Sequence, residues 1–573
     1  MLLISSIVAI LAIIVILIIR ILNVREIEIP IMAASSSTRS TSPPISGCDI
    51  VGGAFAHTHV VDKMRTEPLK SVIQSLIKKS HEGKIMNPIV RLSDIPDSLP
   101  YQSLKYLRRP LHVGQLKLFL SEIQFLTEYV PPEKPKAGIQ ARQGFVKSVI
   151  QTYVIYAGSG PGHKDKMLSN LFPNVKFILI DPQEHFIMHC PSDERLYFRL
   201  PRKTAFEHET IHIATTSGLK SREKGIPLRP NEQLDPNQIT STILNEPRFT
   251  FYIIEDLFTD ELAQAFRTIS ASGHIVLFIS DIRTNARSIM NSSSSVKRGG
   301  QDSIYEDIAA IVGAAEPDED SAKSGPKSAD LLGEDEEEEQ SPHDLDIIVN
   351  GIWQHTWVDI LQPTACMLKF RNPFMNPADV QTMSQFIRHP MYSSSIAKYK
   401  DRFKIDVIEE YKKGRYWFMP NDHINIQAFP GPSSTETRLI ATSGNYNRLV
   451  QYSPKEHEDR LFYYNLMREV CFTPKYESNF GFIPGFDGCL DCCLAIEILA
   501  RYTAKYKESR QPFHLLHDVL QMIGRSIQLG FHGQVYESYA SINEFLHDIV
   551  SRESAYHILD IVNPGTLPFV HKK

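Results

Sequence analysis

Cysteine is scarce in this chain: seven among 573 residues (Cys48, Cys190, Cys366, Cys471, Cys489, Cys492 and Cys493), odd in number and irregular in spacing. A disulfide-stapled secreted scaffold is thereby excluded, and a reducing compartment is the better reading. Cys489-Leu-Asp-Cys492 has zinc-knuckle spacing, but no second CxxC pair and no HxxxH partner follows to complete four ligands. These thiols read as small buried residues at the start of a helix, and no metal site is expected. A phosphate loop is also lacking, because Lys164 is followed by Asp165 rather than by Ser or Thr after Gly-Lys, so the cradle of an ATPase is absent. No internal repeat is evident. With 42% hydrophobic residues, the chain can bury a large core and has room for more than one domain.

The formal charge of −5 is misleading as a total. Between Glu316 and Gln340 stand eleven acidic residues and two lysines, a local net of −9, so the rest of the chain carries −5 − (−9) = +4. The body is mildly basic, which a polyanionic partner tolerates. The acidic run belongs to a low-complexity stretch, about residues 286–345, lying between two strand-like segments. It reads as a solvated insertion looped out of a folded domain.

Residues Met1 to Ile19 carry no charge, and Arg20 and Arg25 follow on the C-terminal side. The sequence permits two readings: residues 1–22 as a signal anchor with the body in the cytoplasm, or translated upstream sequence with the true start at Met32. Residues 23–90 follow as a tether and poorly ordered segment, Ser/Thr/Pro-rich over Ser35 to Gly47.

Strand-like runs occur at Thr152–Ala157, Val175–Asp181, His274–Asp281, Thr364–Phe370 and Glu436–Thr442, several of them between amphipathic segments. This pattern predicts an α/β fold, a parallel sheet flanked by helices, over residues 91–475. Helical spacing at Asp491–Tyr506 and Pro512–Leu529 predicts a helical C-terminal extension over residues 476–573. The sharpest local signal is Tyr153-Val-Ile-Tyr-Ala-Gly158-Ser-Gly160-Pro-Gly162, then a helical stretch at Lys166–Phe172 and a second strand ending at Asp181. Glycines let the backbone approach a ligand at a helix N-terminus, and an acid at the tip of the next strand accepts ribose hydroxyls. The Gly-x-Gly-x-Gly spacing with Pro161 resembles the S-adenosyl-L-methionine site of Rossmann-like methyltransferases more than a dinucleotide site.

Four motifs surround that loop: Gly114-Gln-Leu-Lys117, Ile279-Ser-Asp281-Ile-Arg283, Leu368-Lys369-Phe-Arg-Asn-Pro-Phe374 and Ser434-Thr-Glu436-Thr-Arg438. Their order resembles that of the poxviral-type cap-specific mRNA (nucleoside-2′-O-)-methyltransferases of large DNA viruses, a family that also serves as the stimulatory subunit of the viral poly(A) polymerase. The similarity covers roughly Pro100 to Asn465. It implies a Rossmann-like fold, methyl transfer to the ribose 2′-hydroxyl of the first nucleotide of 5′-capped mRNA, and a catalytic tetrad of Lys117, Asp281, Lys369 and Glu436. A ribose hydroxyl is a weak nucleophile at neutral pH, so it needs a group that takes its proton or steadies the developing alkoxide. A lysine accepts a proton only if its pKa is drawn down, which a second cation and desolvation achieve; Lys369 is assigned that role, with Lys117 as the nearby cation and the two carboxylates as holders. Taken singly, each member also reads as something ordinary. Lys117 shares the polar face of a helix with Ser121, Gln124 and Glu128, and Glu436 has Arg438 as a simple pairing partner.

For the cofactor, S-adenosyl-L-methionine, the resemblance implies Gln115, Gly158, Gly160, Gly162, Asp181, Asp281 and Phe258; the family's arginine after the strand-end acid is Gln183 here. For the 7-methylguanosine cap it implies Phe374 as one stacking ring and Glu458 as a carboxylate. Asn376 stands where a second carboxylate is expected, and Tyr101 is the nearest opposing ring. The partners implied are capped mRNA and a viral poly(A) polymerase catalytic subunit, for which a non-catalytic RNA-binding processivity role is the alternative reading. The location implied is host cytoplasm or virion, with a membrane only if residues 1–22 are present in the mature protein.

Overall fold

Strand β1 (Thr152–Ala157) is buried along its whole length. Its sequence, Thr-Tyr-Val-Ile-Tyr-Ala, has no polar alternation, as expected of a parallel strand covered on both faces. The computed structural model describes residues 88–101, 113–132, 150–183 except 163, 185, 187, 195–198, 211–215, 218–222, 235–282, 344–375, 387, 390–430, 434–470 and 490–508, with 75, 78 and 515 in isolation. The leader, the tether with Met32, the acidic run, Arg283, Asn376 and all of 512–529 but Leu515 lie outside the described residues.

In chain order the elements are α1 (Val113–Tyr129), β1, α2 (Asp165–Leu171), β2 (Val175–Ile180), β3 (Arg195–Tyr197), β4 (Ile211–Thr215), β5 (Gly218–Arg222), α3 (Pro236–Asn245) and β6 (Phe251–Ile254). There follow α4 (Asp260–Ala271), β7 (Ile275–Ser280), α5 (Asp344–Leu361), β8 (Ala365–Phe370), α6 (Pro390–Phe403), α7 (Val407–Lys412), β9 (Tyr416–Phe418) and β10 (His423–Asn425). β11 (Thr437–Thr442), β12 (Val450–Tyr452), α8 (Pro454–Val470) and α9 (Leu490–Tyr506) complete them. Ten strands form one sheet in the order β10-β11-β8-β7-β1-β2-β6-β3-β4-β5, and β9 pairs with β12 apart from it. The run from β8 to β4 is parallel; β11 is antiparallel to β8, and β5 to β4. This mostly parallel sheet with helices on both faces is compatible with the Rossmann-like expectation.

Alternate residues of the central strands feed two apolar layers. Ile155, Ile178, Tyr252, Phe278 and Leu368 face α3, α4, α5 and α6. Val154, Tyr156, Phe177, Leu179 and Leu277 face α1, α2 and α9. Helix starts follow local chemistry: the Thr259 hydroxyl accepts from Leu262 N at 3.3 Å ahead of α4, and Asp235 accepts from Asn237 N at 3.1 Å with Pro236 as first helical residue of α3.

Four of the five strand-like runs differ from the observed strands by no more than a residue at either end, and β1 matches in full. One expectation is corrected. The insertion does not extend to 345, because Asp344 and Leu345 open α5, and Asp344 is wholly buried. The predicted helix at Asp491–Tyr506 exists as α9, and it covers α1 and α2 rather than standing apart: Tyr502 donates to Leu171 O and Tyr506 to Val130 O, each at 2.8 Å. Among the described residues no helix is long and apolar enough to cross a membrane.

Candidate active site

Parallel registers align the carboxyl ends of the strands, where α/β sheets bind ligands. Ala157 pairs with Ile180 on one side and with Ser280 on the other, and Ser280 pairs with Leu368. The next residue of each strand is therefore level: Asp181, Gly158, Asp281 and Lys369 form a row across four strands. β1 lies where the strand order reverses, with β2 on one side and β7 on the other. Antiparallel β11 meets this row end-on, placing Arg438 directly opposite Lys369.

Two cations facing each other across a strand pair repel unless anions sit between them. Asp281 and Glu436 fill that role. Arg438 donates from Nη1 to Asp281 Oδ1 at 2.8 Å and from Nη2 to Glu436 Oε1 at 3.1 Å, with its side chain only 1% exposed. Burial alone lowers the Arg438 pKa, but the charges of Asp281 and Glu436 outweigh it, so the net displacement is upward and the guanidinium stays charged. Lys117 Nζ donates to Glu436 Oε1 at 3.0 Å. Lys369 Nζ lies 3.7 Å from Asp281 Oδ1 and 3.6 Å from Glu436 Oε2, and at 17% it is the most exposed of the group. The structure thus gathers the four predicted residues around one point, and Lys369 presents the most surface to an incoming group.

Lys117 is buried rather than a surface lysine, as are its helical neighbours Ser121 and Gln124, while Glu128 is exposed. The helix's polar face is an internal one. Gln427, with its amide turned so that the oxygen accepts from Arg438 Nε at 2.8 Å and the nitrogen donates to Glu436 Oε1 at 3.2 Å, closes the group from behind. Arg468 in turn donates to Gln427 O at 2.8 Å and pairs with Asp491 at 2.9 Å.

The glycine loop is shaped by close approach. A Cβ on Gly158 (φ +80°) would lie 2.9 Å from Asp281 C, and one on Gly160 would lie 2.7 Å from Asp181 Cγ. Gly162 has φ +76°, the left-handed region. Asp181 accepts from Gly160 N at 3.1 Å and from Gln183 N at 2.8 Å, which fixes its carboxylate beside the loop. Below the loop, Lys164 Nζ pairs with Glu122 of α1 at 2.8 Å, and Tyr156 also donates to Glu122. Burial raises the Glu122 pKa and Lys164 opposes that rise. This buried pair ties the helix bearing Lys117 to the loop. Gln115 lies in the first turn of α1. Phe258 is not brought to the loop in the same way: it packs in the core against Trp357 at 4.9 Å and Phe278 at 5.5 Å.

The residues implied for a cap meet beyond the tetrad. Tyr101 and Phe374 have ring centroids 6.4 Å apart with planes tilted by 40°. A base between two rings needs about 7 Å, two contact distances of about 3.5 Å, so a small opening and rotation would admit one. Tyr101 N donates to Asp459 Oδ1 at 2.9 Å, and Phe374 N to Asp344 Oδ1 at 2.6 Å. Glu458, next to Asp459 on α8, is pushed up to about 7 by burial, with Arg371 opposing and Asp344 adding to the rise. Its Oε1 is buried without a hydrogen-bond partner among the described residues.

Sequence reasoning missed three contributors. Arg438 read as a simple partner for Glu436, Gln427 carried no signal, and Arg371 passed unnoticed inside its motif; alternation along β8 and β11 is the signal that places Arg371 and Arg438 on the face of Lys369 and Glu436. Among the described residues no group of three or more His, Cys, Asp or Glu is placed to hold a metal ion. No family model matches this chain, and no curated protein is significantly similar to it.

Proposed function

We propose that this protein transfers a methyl group from S-adenosyl-L-methionine to the ribose 2′-hydroxyl of the first transcribed nucleotide of 5′-capped mRNA, as the resembled poxviral-type family does. The observation that supports it is Lys369 held between Asp281 and Glu436, with Lys117 and Arg438 behind, at the strand ends beside a glycine loop. The residues fit the methyl donor. The loop backbone can approach closely only because Gly158 and Gly160 lack a Cβ, Asp181 stands where ribose hydroxyls would be accepted, and Asp281 joins loop and tetrad. When bound, the sulfonium supplies an electrophilic methyl.

Lys369 faces the hydroxyl as base or orienting group. With the donor bound, the hydroxyl proton would pass to Lys369 in its neutral amine form or to solvent as the oxygen takes the methyl group, and the sulfonium would leave as a neutral thioether. Asp281 and Glu436 hold the Lys369 side chain in line, and Lys117 and Arg438 fix the position of those carboxylates. Much of the rate comes from alignment, which is worth about 7–11 kcal/mol in favourable cases. Labelled methyl donor should yield a 2′-O-methyl mark on the first nucleotide of capped RNA and none on RNA with a 5′-triphosphate end. Equal labelling of both, or labelling at a base nitrogen, would sink the reading.

Glu458 gives this reading a pH signature. A carboxyl near 7 favours a cationic base only when ionised, so affinity is present above that value and is lost as pH falls through it. Between pH 8 and pH 6 the ionised fraction falls by about tenfold. Affinity for 7-methylguanosine nucleoside, measured by fluorescence quenching, should fall by about as much, and Glu458→Gln should flatten the dependence. A profile unchanged in the Gln variant would remove Glu458 from that role.

A further inference from the structure

Helix α1 touches the site on two sides. Lys117 reaches Glu436 at 3.0 Å, and Ser121, one turn on, lies with its Oγ 3.2 Å from the Gln427 amide. Glu122 projects about 140° around the helix from Lys117 and stands about 7.5 Å further along it. There it meets the glycine loop: its Oε1 lies 2.8 Å from Lys164 Nζ and also accepts from the Tyr156 hydroxyl, which the ammonium approaches to 3.4 Å. Lys164 is two residues past Gly162, and its backbone is fixed there, because Asp165 N donates to Gly162 O at 3.0 Å and Leu168 N to Lys164 O at 3.2 Å. Asp165 is wholly buried too, with neither oxygen hydrogen-bonded among the described residues, so the ammonium answers to two carboxyls and is pinned beneath the loop.

Replacing a buried ion pair by apolar side chains of similar size is often neutral for stability, so stability alone does not account for this one. What the pair does impose is a fixed distance between the loop and the helix that carries Lys117. We infer that Glu122 and Lys164 are positioning residues that make α1 a shared strut: a donor seated on the loop sets Lys117 against Glu436, and donor and capped RNA bind with positive cooperativity. This rests on the methyl-transfer reading above. The first ligand bound holds the strut in the arrangement the second requires, and the coupling is reciprocal.

Calorimetry on the full chain reads that coupling, with S-adenosyl-L-homocysteine as an unreactive stand-in for the donor and a short m7GpppA-capped RNA as acceptor. Saturating RNA should tighten S-adenosyl-L-homocysteine binding about fivefold or more, and the reverse titration should give the same factor. In Glu122→Gln/Lys164→Met, which removes both charges at nearly constant volume, the factor should fall to about one while each ligand alone binds within about threefold of the parent. Glu122→Gln alone keeps an acceptor for Lys164 and Tyr156 and loses the charge. It decides the matter if the double variant does not fold, and its factor should be about half the parent's or less. A merely structural pair would lower the urea midpoint and leave the factor unchanged, and that outcome in either variant overturns the inference. A parent protein that binds both ligands with no coupling overturns it as well and leaves the methyl-transfer reading standing. A parent that binds no S-adenosyl-L-homocysteine overturns both.

Discussion

Lys369→Ala should lower single-turnover methyl transfer to capped RNA by about 10²- to 10⁴-fold, the range for losing one positioned proton-transfer group. The binding of donor and capped RNA should change little, because the ammonium meets Asp281 and Glu436 only at 3.6–3.7 Å and touches the substrate where it reacts. A loss seen in kcat rather than in KM is the expected split. The fold should survive, since Lys369 is the most solvent-facing member of the group and Arg438 and Lys117 still neutralise both carboxylates. An alanine variant with parent-like turnover would show that the chemistry lies elsewhere.

Arg438→Met should instead act on stability. The side chain is sealed from solvent and bonded to two carboxylates, so removing it strands anions in the interior. Breaking a buried pair from one side costs about 3–5 kcal/mol. The urea midpoint should fall accordingly, with loss of activity as a second consequence because Asp281 and Glu436 lose their common anchor. The pair Arg438→Met and Lys369→Ala separates scaffold from chemistry: the first should unfold early and the second should fold normally and fail to react. If Arg438→Met retained the parent midpoint, the buried guanidinium would not be holding the two carboxylates.

The central strands were legible in the sequence because burial on both faces leaves an uninterrupted apolar run, as in Thr152–Ala157 and Val175–Ile180. That Lys117, Asp281, Lys369 and Glu436 come together was legible through the order of their motifs, which carries more information than any one of them. What stayed hidden is long-range placement. Lys117 looked solvent-facing because helical periodicity reports polarity and not exposure, whereas Gln427, far along the chain, faces Ser121 from within. Tyr101 is located by Asp459, 358 residues away, a contact no local pattern encodes. Three-residue strands such as β3 and β10 are too short to show a period. The helix α5 begins inside what composition reads as insertion, because two aspartates at its start look like the tail of the acidic run; Asp344 is nonetheless a buried anchor for Phe374 and Tyr411.

The Arg468–Asp491 pair gives the C-terminal segment a part in supporting the candidate site. Asp491 opens α9, Arg468 closes α8, and the backbone oxygen that Arg468 holds belongs to the residue whose amide bridges Glu436 and Arg438. Both side chains are at most 3% exposed. A chain ending at residue 475 would keep every tetrad residue and still leave Arg468 a buried charge without its carboxylate. The supporting edge of the candidate site therefore falls after α9, about forty residues beyond Asn465 where the family resemblance ends, and trimming this protein to its recognisable portion would loosen the Glu436–Arg438 cluster from behind.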